Sequence, residues 1–168
     1  MEYVRVACAS LITLVFVTSA VSKLRDFDGF ARSLPALAPV RSDLVRPLAM
    51  VVAATEMAIP ILLVIPPATS YGFMLGCVLL AAFTTAIAVA LRRGRRAPCR
   101  CFGASSTPVG PRHLIRNGAL LITALLGGLA PQGLLPLAGM AVAAAAGLIG
   151  AILIVSFDDI VDLFARSS

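Results

Sequence analysis

Five apolar runs dominate this chain, each close to the roughly 17–25 residues that a helix needs to cross a bilayer. They cover residues 4–21, 44–65, 71–91, 114–130 and 134–157. Inside hydrocarbon every backbone N–H and C=O must be satisfied within its own segment, so an open chain crosses only as a helix. Pro66-Pro67 separates the second run from the third, and Pro131 and Pro136 bracket the break before the fifth. The composition agrees: 60% of the 168 residues are hydrophobic and 13% charged, where a soluble domain carries about 25% charge. The sequence predicts an all-α integral membrane bundle, a single domain over residues 1–168. Five transmembrane helices are preferred to four.

The charges say how such a bundle would sit. The formal net charge is +6, which in another setting would suggest nucleic acid. Here the basic residues lie between apolar spans without interleaved aromatics, a distribution that orients membrane proteins. Residues 22–43 carry Lys23, Arg25, Arg32 and Arg41, and a basic loop at 92–113 carries Arg92, Arg93, Arg95, Arg96, Arg100 and Arg112. The other two connections are uncharged. This alternation fits five spans with the N-terminus outside and the 92–113 loop and C-terminus in the cytoplasm. The first run is expected to be retained, because Lys23 and Arg25 follow it, whereas a signal peptide carries its charge in front.

Chemistry is expected in the 92–113 loop, at Cys99-Arg100-Cys101. Two thiols one residue apart close a tight, strained disulfide, and strained disulfides exchange readily. The surrounding arginines favour the thiolate, the species that attacks disulfides and binds soft metals. Thiol–disulfide exchange is the leading reading, with His113 as a proton acceptor. Soft-metal binding by Cys99, Cys101 and His113 is an alternative, although the five methionines form no Met-x-x-Met ladder. A non-catalytic scaffold for a partner enzyme is another. No residue pattern signals a cofactor; quinone coupling is conceivable without a motif of its own.

Other residues stand out from the apolar background. Glu56 lies well inside the second run, four residues before Pro60, and a carboxylate there must face the bundle, protonated or paired. It would lock the bundle, handle a proton or bind a ligand. Cys8 and Cys77 fall at similar depths near the outer ends of their spans, and form a candidate second pair. Gly72 and Gly76, and the stripe Gly139, Ala143, Gly147, Ala151, mark close helix contacts, within the bundle in preference to between copies. Phe27, Phe30, Leu34 and Leu37 recur at helical spacing, as expected of a short helix on the membrane surface. The 157–168 tail repeats that pattern.

Ser22-Lys23-Leu24, Glu56, Pro98-Cys99-Arg100-Cys101-Phe102-Gly103 and His113-Leu114-Ile115-Arg116-Asn117 form a set. Together these four stretches resemble the MauE family of methylamine-utilisation membrane proteins, whose layout is related to the DoxX proteins. The resemblance implies a multi-pass protein of the bacterial plasma membrane, acting with a thioredoxin-like partner of the MauD type. It also implies a link to maturation of the disulfide-rich small subunit of methylamine dehydrogenase. It adds Lys23, Arg100, Phe102, Gly103, Arg116 and Asn117 as supporting residues. A partner working on an exported protein belongs outside, whereas the arginines place Cys99 and Cys101 inside.

Overall fold

The computed structural model describes residues 2–37, 40–94, 110–133 and 136–157. Among them the chain forms α1 (Glu2–Arg25), α2 (Phe27–Leu37), α3 (Ser42–Val64), a 3-10 turn (Pro66–Ala68), α4 (Thr69–Arg92), α5 (Pro111–Leu129) and α6 (Leu137–Val155). Each apolar run of the sequence has become a long helix. Four spans meet the length and apolarity needed to cross a membrane: α1, α3, the 3-10 turn together with α4, and α6. α5 has the length, but opens on Arg112, His113, Arg116 and Asn117, which dilute its apolar character. Leu129 and Leu137 are each 82% exposed, as expected of a surface meant for lipid. The protein is a multi-pass helical membrane bundle.

Glycines set the distances between helices. A methyl group at Gly72 would lie 2.9 Å from the Leu63 side chain, and one at Gly76 3.9 Å from both Ile59 and Phe16. Side chains at Gly127 would collide with Phe73 and Cys8, at Gly139 with Tyr3, and at Gly147 with the Ala7 carbonyl. The small-residue stripes therefore serve contacts inside the bundle. Their pairings also fix direction: α3 and α4 run antiparallel, as do α1 and α5, while α6 runs parallel to α1. The two ends of α1 thus share their levels with the corresponding ends of α6, as an alternating five-helix path requires. Cys8, Ile12, Phe16, Ile59, Leu63, Phe73, Leu80, Leu120 and Ala124 form the common core.

α2 departs from expectation. Phe30, Ala31 and Leu34 are buried with Ala49 of α3, and Leu37 with Ile87 and Ala90 of α4. The apolar face predicted to lie on lipid is instead covered by protein, because α1 stops at Arg25 and leaves that flank of α3 and α4 open. Only Asp26 interrupts the helical path between α1 and α2. Its carboxylate accepts the Gly29 N–H at 2.9 Å, the usual way a side chain satisfies a helix start. Beyond Phe157, the predicted surface helix of the tail lies outside the described residues.

Candidate functional site

Lys23 is a residue of the last turn of α1, not of a loop, and is 1% exposed. Its ammonium lies 2.8 Å from Oε1 of Glu56, which is 2% exposed. It also donates to Ser19 Oγ at 2.7 Å, one turn back on α1, and Ser19 Oγ stands 3.2 Å from both Glu56 oxygens. The ring centres of Phe30 and Phe83 lie 5.0 and 5.8 Å from the same ammonium. One cation thus joins α1, α2, α3 and α4, by ion pair, hydrogen bond and cation–π contact.

Depth makes the pair consequential. At 1.5 Å per residue, Glu56 is about 21 Å along α3 from Ser42 and about 12 Å from Val64. Each charge placed there alone costs about 2.5–3.5 kcal/mol on insertion scales, so the partner is what makes each tolerable. Pro60, four residues on, has no N–H to give the Glu56 carbonyl, which loses its regular helical donor. The sequence flagged Glu56 and Lys23 separately. Ser19 was missed, although Ser19 and Lys23 share a helix face at four-residue spacing.

A second polar group opens α5. His113, Arg116 and Asn117 are 1%, 5% and 1% exposed, at positions one turn apart on one side of the helix. The His113 N–H donates to the Gly110 carbonyl at 3.1 Å, and the Gly110 N–H donates to His113 Nδ1 at 3.2 Å. This reciprocal pair caps the helix. It also occupies Nδ1 as an acceptor, so the neutral ring carries its proton on Nε2. His113, the expected proton acceptor, thus also caps its own helix.

α4 ends at Arg92, and Gly94 turns the chain away at φ 65°, a left-handed conformation natural to glycine. Cys99, Arg100, Cys101, Phe102 and Gly103, between this turn and Gly110, lie outside the described residues. Among the described residues no three His, Cys, Asp or Glu side chains gather as a metal would need. The soft-metal alternative rests on Cys99 and Cys101.

Cys8 and Cys77 are both free thiols. Both pack into the apolar core, Cys8 against Gly127, so the candidate second pair is not joined as a disulfide. At the same end of the bundle Arg5 is also buried. It donates to the Ala130 carbonyl at 3.0 Å, the Gly127 carbonyl at 3.4 Å and Ser70 Oγ at 3.0 Å. A cation on the last carbonyls of α5 complements the helix dipole. Beside it a cavity of about 800 Å³, lined by Glu2, Arg5, Thr13, Leu63 and Leu148 among others, opens between α1, α3 and α6.

Comparison with known proteins completes the picture. The family model described as "Methylamine utilisation protein MauE" matches residues 1–130. The "Methylamine utilization protein MauE" of Paracoccus denitrificans is 34% identical over 119 residues, 68% of this chain and 61% of that protein. The match thus spans about three fifths of that relative's length. No solved structure matches.

Proposed function

This chain belongs to the MauE family of methylamine utilisation proteins, and on that premise we propose that it is a membrane thiol–disulfide redox protein. It exchanges electrons through Cys99 and Cys101 with a thioredoxin-like partner of the MauD type, in support of an exported, disulfide-rich protein of that pathway. The observation that carries this reading is where the cysteine pair falls. In sequence it falls between α4 and α5, and α5 opens on the buried polar residues His113, Arg116 and Asn117. The arginines that flank the pair in sequence favour a thiolate over a thiol.

The exchange balances without an outside reagent. One thiolate attacks a partner sulfur, the partner's other sulfur leaves and takes up a proton, and the second cysteine then resolves the mixed disulfide. Two thiols and one disulfide become one disulfide and two thiols, so no net proton is released. Glu56 need not act as a proton sink; its ion pair with Lys23 supports a role in holding α1 to α3.

The proposed setting is the bacterial plasma membrane, with the N-terminus outside and the cysteine pair and C-terminus in the cytoplasm. Arg25, Arg32, Arg41, Arg92 and Arg93 are exposed at the end of the bundle where α1 and α4 finish and α3 begins. Arg5, at the other end, is bonded within the protein. Complementation with Cys99→Ser and Cys101→Ser tests the reading: each should abolish function while leaving protein levels intact. Full activity in either variant would refute it.

A further inference from the structure

Asn117 is 1% exposed, and among the described residues no group donates a hydrogen bond to its Oδ1. Buried amide oxygens without donors are rare, and each calls for a physical explanation. The register of α1 against α5 says what lies near this one. Arg5 reaches the Ala130 carbonyl, Cys8 packs on Gly127, and Ile12 and Phe16 share the core with Ala124 and Leu120. With both helices advancing 1.5 Å per residue, the following turn brings Ser19 to the depth of Asn117. Ser19 is fully buried and touches both Glu56 oxygens.

Acceptors gather at that layer among the described residues. They are Asn117 Oδ1, the two Glu56 carboxylate oxygens and the Glu56 carbonyl that Pro60 cannot serve. The Lys23 ammonium donates to Ser19 and Glu56, and the Ser19 hydroxyl faces the carboxylate, while Asn117 Oδ1 is left without a donor among the described residues. We propose that a water molecule is bound between α1 and α5 at this layer, donating to Asn117 Oδ1 and to the Ser19–Glu56 group. Water supplies two donors in a volume of about 30 Å³, and its need for two to four polar partners is met here. The site extends the charge pair's hydrogen bonds to α5, where His113 lies one turn from Asn117 on the same face. None of this depends on the thiol chemistry.

Infrared spectroscopy of the protein in lipid nanodiscs, in ordinary water and in water enriched in oxygen-18, tests the site. The wild type should show a narrow O–H stretch that shifts with the isotope. Asn117→Leu should lose that band and melt about 4 °C or more lower, whereas Asn117→Ser, which keeps a polar group and leaves room, should retain it. If Asn117→Leu does not fold, Ser19→Ala should lose the band and carries the test. Absence of the band in the wild type, its survival in Asn117→Leu or Ser19→Ala, or an Asn117→Leu variant as stable as the wild type would overturn the proposal.

Discussion

The ammonium of Lys23 and the carboxylate of Glu56 stand 2.8 Å apart across 33 residues of sequence, and both are sealed inside the bundle. Breaking a buried pair by removing one partner costs about 3–5 kcal/mol, whereas replacing both with apolar groups of similar size is often neutral. Lys23→Met and Glu56→Leu should each lower the melting temperature sharply, and the double variant should recover most of the loss. A thermal-shift series in one detergent decides this. Additive losses in the double variant would mean that the two charges do not stabilise each other.

The ammonium is also held by Ser19, Phe30 and Phe83, a cradle of carboxylate, hydroxyl and two ring faces. Lys23→Ala leaves that cradle empty, and a short alkylammonium such as propylammonium has the chemistry to refill it. Millimolar propylammonium should raise the melting temperature of Lys23→Ala and leave that of the wild type unchanged. An equal effect on both proteins would count against the cradle.

The glycines make a contrasting pair of expectations. Gly147 backs onto the Ala7 carbonyl, so Gly147→Val should force α1 from α6 and cost about 1–3 kcal/mol. Gly118 has no neighbouring atom within 4 Å of an added methyl. Gly118→Ala should therefore gain about 0.5–1 kcal/mol from helix propensity. Comparing the two melting temperatures with that of the wild type tests the seam.

Much of this architecture is legible in the sequence. The apolar runs announce the long helices because hydrocarbon leaves the backbone no other choice, and the glycine stripes announce close contacts because only small residues permit them. Which helices those stripes join is not legible, since Gly72 meets Leu63 and Gly147 meets Ala7 only after folding. Lys23 reads as a loop charge because it adjoins Arg25 and follows an apolar run. Its true place depends on Glu56, on another helix. The same holds for Arg5, whose carbonyl partners are at the far end of α5, and for α2, whose apolar face looks the same whether lipid or protein covers it.

The proposed sidedness rests on the basic residues exposed at one end of the bundle. A membrane-impermeant maleimide added to intact, reduced cells should leave Cys99 and Cys101 unlabelled and should label them after lysis. Labelling of intact cells would place the pair on the outer side, beside an extracytoplasmic thioredoxin-like partner. The redox proposal would survive that result; the cytoplasmic route for its electrons would not.

The redox state of the cysteine pair itself bears most directly on the proposed function. Cells quenched in acid, alkylated, then reduced and alkylated with a second mass label report how much of Cys99 and Cys101 is disulfide. The account predicts that both dithiol and disulfide forms are present in the wild type. It further predicts that Cys99→Ser or Cys101→Ser leaves the remaining cysteine in a mixed disulfide with a thioredoxin-like protein. A pair found wholly as thiols under every growth condition, with no mixed disulfide in either variant, would contradict it.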